Sequence, residues 1–186
     1  MSDFMPLTQV ARQALRPVLE PGRLAVDATV GNGHDTLFLA GHVAPGGRII
    51  GFDVQPQALA GTRIRLQAAG LASLTTLHLR GHEHMRELIP SDWPGKVSAV
   101  MFNLGYLPGG DKTRTTAAAT TLDALDQALS LLRVRGLVSL LVYRGHTGAE
   151  AEAKAVRTWL DRLNASHRII RHESPGPVLY LVERLA

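Results

Sequence analysis

The sequence predicts an α/β fold, a mostly parallel seven-stranded sheet with helices on both faces and an antiparallel last strand. Three observations lead there. Strand-like and helix-like segments alternate along the whole chain, the pattern of βα units wound into a parallel sheet. The stretch GLVSLLVY (136–143) is apolar with no period of two, as expected of a strand covered on both faces. Two strand-like runs then close the chain around ESPGP, a turn suited to antiparallel neighbours.

The elements follow in order. Residues 7–19 carry helical apolar spacing and are ended by Pro21-Gly22. Residues 24–28 form a short apolar strand, and a glycine turn leads into a helix over 34–42. A second strand over 48–53 precedes a helix over 56–69 with Pro56 at its first position, where a missing N–H costs nothing. A third strand at 74–79 is followed by a short helical piece at 84–89. The fourth strand spans 97–103, a long helix 115–132, the fifth strand 136–143 and an amphipathic helix 149–164. The final pair spans 167–172 and 178–185.

A chain of 186 residues holds one full core, so 1–186 is expected to be a single domain with the first helix (1–20) packed on it. Apolar residues at 45% and charged residues at 19% suit a globular protein rather than a disordered one. No apolar run approaches a membrane span, and the first residues lack the charged and apolar regions of a signal peptide. There is no cysteine, which excludes disulfides, thiolate metal sites and cysteine nucleophiles. By elimination the cytoplasm is the expected compartment. The net charge of +4, with arginine supplying 17 of the 20 basic residues, is compatible with a polyanionic partner without requiring one.

In an open α/β sheet, ligands bind beyond the carboxyl ends of the strands, so the strand exits are where chemistry is sought. At the first, VDATVGNGHDTLF, Asp27 ends the strand, Gly31 and Gly33 form the turn, and the helix start offers free N–H groups. A dinucleotide fingerprint would place a third glycine where Thr36 stands, which counts against NAD and against a nucleoside-binding protein of that type. At the second, Asp53 follows Gly31 by 22 positions, the usual offset for an acid accepting both ribose hydroxyls. At the third, His82 and Glu83 fall where an adenine edge would lie; His78, His82 and His84 lack metal-ligand spacing, so no metal is expected. An adenosine site beside a carboxylate-binding turn, without a pyrophosphate motif, points to S-adenosylmethionine. The fourth exit, NLGYLPGGDK, breaks abruptly from an apolar strand into polar and glycine residues.

These exits resemble those of Rossmann-like class I methyltransferases, which place the methyl acceptor at the end of the fourth strand. More narrowly, DATVGNGHDTLFLA, MFNLGYLPGGDK and VYRGHTGAE resemble the bacterial family long labelled rRNA methylase (the YtqB/MnmM type). That family is associated with methylating the amine of 5-aminomethyl-2-thiouridine at the tRNA wobble position. The resemblance covers nearly the whole chain, though YRGHTGAE is poorer in glycine and proline than its counterpart, which leaves His146 and Glu150 open. It implies S-adenosylmethionine as cofactor, held by Gly31, Asn32, Gly33, Asp53, His82 and Glu83. The flanking Asp27, Asp35, Thr36 and Gln55, and Asn103 at the shared wall, complete the expected set. It implies a tRNA anticodon arm as partner, with a homodimer as one way to enlarge the RNA surface. Methylation of rRNA or of a small-molecule amine stands as the alternative.

The exit resembles the N-P-P-Y type, in which an asparagine and a backbone carbonyl hold an amine and an aromatic ring packs on the base. Asn103 and Tyr106 take those roles here, with Leu104 and Gly105 in place of the prolines. Asp111 and His146 are the candidate proton acceptors, although Asp111 equally suits a helix cap. Gly109, Lys112, Arg114 and Arg144 are assigned to the RNA side, with Arg12 and Arg16 as further candidates for an RNA surface.

Overall fold

The computed structural model describes residues 5–107, 109, 115–145, 148–163 and 165–186. The strands are β1 Leu24–Asp27, β2 Arg48–Asp53, β3 Thr75–Leu79, β4 Val97–Leu104, β5 Leu132–Val142, β6 His167–Glu173 and β7 Val178–Arg184. They form one 7-stranded sheet in the order β3-β2-β1-β4-β5-β7-β6. Neighbours from β3 through to β5 pair in parallel, and β7 runs antiparallel to both β5 and β6. The strand order reverses between β1 and β4, and such a switch point opens a crevice at the carboxyl ends.

The helices are α1 Leu7–Leu15, α2 His34–Val43, α3 Pro56–Ala68, α4 Met85–Leu88, α5 Ala118–Leu131 and α6 Ala149–Leu160. Side chains alternate across the sheet with a period of two and divide the core into two layers. Val100, Phe102 and Leu104 of β4, with Val138, Leu140 and Val142 of β5, pack against Leu125 of α5 and Trp159 of α6. Ala99, Met101 and Leu141 face the other way, onto Leu7, Ala11 and Leu15 of α1 and Leu39 of α2. The first helix thus covers the sheet with its buried stripe. Among the described residues no helix is long and apolar enough to cross a membrane.

Boundaries differ from expectation where tertiary contacts override local pattern. The first helix is α-helical to Leu15 and continues as a 3₁₀ turn over Arg16–Val18, because Pro17 has no N–H for an α-helical bond. The piece expected at 84–89 divides into a 3₁₀ turn, His82–His84, and the short α4. The helix expected from 115 starts at Ala118, since Thr115 and Thr116 are engaged elsewhere. β5 begins at Leu132, directly after α5, rather than at Gly136. Leu132 pairs with Val97 while Leu137 pairs with Ala99, so the intervening residues bulge, with Arg135 at φ 66°. The LRVRG segment is too short and too charged to announce a strand by itself, and the ladder becomes visible only through its partner.

Candidate active site

A cavity of about 770 Å³ opens over the carboxyl ends of β1, β2, β4 and β5. Its β1 wall is a turn with Gly31 at φ 52° and Gly33 at φ 77°. Gly33 precedes α2, and a Cβ there would lie 2.3 Å from Thr62 Oγ1 on α3. Conformation and close approach both require glycine at that position. The Gly31 N–H donates to Asp53 Oδ2 at 2.8 Å, and the Gln55 N–H donates to Asp53 Oδ1 at 2.8 Å. The end of β2 is thereby clamped to the turn after β1.

Asp27 is fully buried and accepts from Thr36 Oγ1 at 2.6 Å and from the Thr29 N–H at 3.2 Å. Burial first, and the charge of Asp35 second, push its carboxyl up from 3.8 to about 7. Thr36, standing where a dinucleotide site has glycine, satisfies this carboxyl. Asp27, Gly33 and Thr36, expected at the cofactor, are absent from the cavity lining and instead shape the turn behind it. Gly31, Asn32, Asp35, Asp53, Gln55, His82, Glu83 and Asn103 do line it.

The β3 exit is fixed from α5. Gln127 Nε2 donates to the Glu83 carbonyl at 2.7 Å, and Gln127 Oε1 accepts from the Arg86 N–H at 2.6 Å. His82 is buried edge-on to Phe102, its Nδ1 lying 3.2 Å from the Ala28 carbonyl oxygen, and burial lowers its pKa. The other two histidines have partners of their own. His78 stacks on Phe52 with centroids 5.5 Å apart, and His84 pairs with Glu83 and Glu87.

At the β4 exit the Asn103 N–H donates to Thr29 Oγ1 at 2.7 Å, and Asn103 Nδ2 donates to Asp35 Oδ2 at 2.8 Å. Asp35 Oδ1 in turn accepts from Arg12 Nε and Arg12 Nη2, each at 2.7 Å. Arg12, expected on an RNA surface, therefore pairs with a carboxylate of the cavity wall instead, with its guanidinium 5.8 Å from the Phe38 ring centroid. Arg16 is exposed in the 3₁₀ turn that follows α1. Tyr106 lines the cavity, 40% exposed, and its backbone bridges Thr115. The Thr116 N–H donates to the Gly105 carbonyl at 3.0 Å. Thr116 Oγ1 and Thr121 Oγ1 donate to the two carboxylate oxygens of Glu152, at 2.8 and 2.6 Å. Glu152 is buried in α6 and so holds the chain's return from the cavity rim.

Gly109 and Arg144 also line the cavity, whereas Glu150 is exposed in the first turn of α6. Asp111, Lys112, Arg114 and His146 lie outside the described residues. Sequence reasoning missed Thr29, Thr116, Tyr143 and Glu152. Inspection of the fifth strand's exit would have found Tyr143, a cavity residue whose phenol is raised by burial first and by Asp35 second. No local signal marks Glu152, one of three glutamates and aspartates along an amphipathic helix and its end.

A family model described as "Putative rRNA methylase" matches residues 49–175. A chloroplastic tRNA (mnm(5)s(2)U34)-methyltransferase of Arabidopsis thaliana is 38% identical over 160 residues, 82% of this chain. The chain spans 58% of that plant protein's length. A Clostridium thermocellum protein under the same rRNA-methylase description superposes with a TM-score of 0.91 at 34% identity, over 100% of both chains. A Streptococcus mutans protein, "a putative methyltransferase" solved in complex with SAH, gives 0.87 at 31% identity over 98% of this chain and 99% of its own.

Proposed function

Because this chain belongs to the rRNA methylase family, we propose that it is an S-adenosylmethionine-dependent methyltransferase. Its target in this proposal is the amine of 5-aminomethyl-2-thiouridine at the tRNA wobble position, as the name of the plant relative suggests. The observation that carries the proposal is the position of Asn103, an amide on the wall of the same cavity as Asp53 and the Gly31 turn.

The cavity residues suit the cofactor. Asp53 ends β2 with both oxygens oriented by backbone N–H groups and with acceptor capacity left for ribose hydroxyls. Gly31 and Asn32, just before α2, suit its amino-acid moiety, and His82 and Glu83 its adenine. Thr36 at the third-glycine position, bonded to a buried carboxyl, argues against a pyrophosphate there. Bound S-adenosylmethionine supplies a sulfonium-borne methyl group for in-line attack by an amine.

What remains for the protein is to orient that amine and keep it unprotonated. A free aliphatic amine has a pKa of about 10, so a water-poor pocket must lower it or a base must take the proton. Asn103 Nδ2 is occupied by Asp35, which turns Oδ1 toward the role of amine acceptor. Tyr106 packs on the base in this scheme, Asp111 takes a proton, and Gly109, Lys112, Arg114, Arg144 and His146 meet RNA. An anticodon arm is the partner, met in the cytoplasm, and a homodimer would widen the basic rim.

Incubation of the purified protein with tRNA from a strain deleted for the gene, followed by nucleoside mass spectrometry, tests this. Conversion of 5-aminomethyl-2-thiouridine to its methylated form is expected. An unchanged nucleoside, with S-adenosylhomocysteine binding intact, overturns the tRNA assignment and leaves another amine as the acceptor.

A further inference from the structure

We propose that Arg12 and Asp35 are positioning residues for the transfer, acting on the acceptor amine through the amide of Asn103. The inference rests on the methyltransferase reading. It goes beyond it in making the first helix, which carries no residue of the glycine turn or of the NLGY exit, part of the reaction apparatus.

An asparagine amide can rotate so that either its oxygen or its nitrogen faces a ligand. Only the oxygen accepts from an amine N–H, so a site of this kind needs something that fixes the amide. Asp35 is that element. An ionised carboxylate accepts and cannot donate, and its 2.8 Å bond from Asn103 Nδ2 selects the rotamer that leaves Oδ1 for the acceptor. Its negative charge also polarises the amide, making Oδ1 a stronger acceptor as positive charge develops on the methylated nitrogen.

Asp35 alone would hold this post poorly. It is nearly buried, and it sits close enough to Asp27 and Tyr143 for its charge to raise both of their pKa values. A second cation-free carboxylate there would be costly. Arg12 meets that need with Nε and Nη2 both 2.7 Å from Oδ1, leaving Oδ2 for Asn103. The guanidinium is itself steadied by the Phe38 ring beneath it. A lysine would supply the charge without the two-donor geometry. The buried face of α1, Leu7, Ala11 and Leu15, anchors the helix on the sheet so that Arg12 emerges beside the cavity.

The test uses the full chain in three forms: wild type, Arg12→Gln and Arg12→Lys. Expected for Arg12→Gln is a fall in kcat of roughly 10- to 50-fold. Affinity for S-adenosylhomocysteine should stay within about twofold, and Arg12→Lys should recover part of the lost turnover. Independently of activity, the Asn103 side-chain amide resonance in a ¹H–¹⁵N spectrum should shift and broaden in Arg12→Gln and in Asp35→Asn. If Arg12→Gln fails to fold, Asp35→Asn and Arg12→Lys carry the same two readouts. An unperturbed Asn103 amide, or a loss of turnover matched by an equal loss of cofactor affinity, overturns the proposal. Should wild type fail to methylate tRNA, the functional reading falls on that ground, and the amide spectrum still decides whether Arg12 and Asp35 set the asparagine.

Discussion

On the β1–β2 side of the cavity, backbone N–H groups do most of the holding. Asp53 receives the N–H groups of Gly31 and Gln55, and the buried Asp27 receives the N–H of Thr29 beside the hydroxyl of Thr36. On the β4 side, side chains hold side chains: Arg12 holds Asp35, Asp35 holds Asn103, and Glu152 holds Thr116 and Thr121. The first arrangement is stiff because it belongs to strand ends and a helix start. The second can be retuned one residue at a time, because each link is a side chain that a single substitution replaces.

Substitutions can separate the two halves. The largest effect is expected from Asn103→Ala, with single-turnover methylation slowed about 10²- to 10³-fold. Calorimetry should show little change in S-adenosylhomocysteine affinity, and a comparable loss in both would erase the distinction drawn above. Next comes Glu152→Ala, which leaves two threonine hydroxyls without their charged acceptor and should cost about 3 kcal/mol of stability. Thermal unfolding would register this as a fall of about 6–12 °C. Acceptor turnover should suffer more than cofactor binding, because the carboxylate holds only the β4-side rim.

Asp53→Ala tests the opposite half and should weaken S-adenosylhomocysteine binding by about tenfold, roughly 1.4 kcal/mol. Turnover at saturating cofactor should be affected less, and the reverse pattern would move Asp53 out of the cofactor side. The remaining test is a pH dependence at the base of that half, read in stability rather than in activity. Asp27 is raised from 3.8 to about 7 in the folded protein, so between these values the native state binds more protons than the unfolded chain. Its contribution is therefore fully present below about pH 4 and is lost as pH rises through 7. Denaturant unfolding from pH 4.5 to 7.5 should show a steeper decline in wild type than in Asp27→Asn. Parallel profiles would mean that the carboxyl is ionised in the fold.

The comparison also explains how far the site could be read from residues alone. The β1–β2 half is legible because its signals are local. Glycine spacing marks a turn, and an acid at a strand's end marks what that turn will face. A strand's pattern does not reveal that a hydroxyl nine positions on will engage the buried Asp27 carboxyl behind the cavity wall. In the β4 half Asn103 and Tyr106 stand out because they mark the polar break at the end of an apolar strand. Their supports come from far along the chain: Arg12 lies 23 positions from Asp35, and Asn103 lies 68 from it. Glu152 lies 36 positions from Thr116.

By itself the sequence determined the α/β alternation, the parallel sheet with its antiparallel β7, and the polar strand exits over which the cavity opens. Periodicity and turn chemistry act over a few residues, so they survive without a partner. Tertiary structure alone decided where Arg12 is used, why Asp27 is withdrawn from the cavity, and how β5 extends back to Leu132 through a bulge. Each of these depends on a charge or a ladder finding its complement across the fold, and only packing brings the two together.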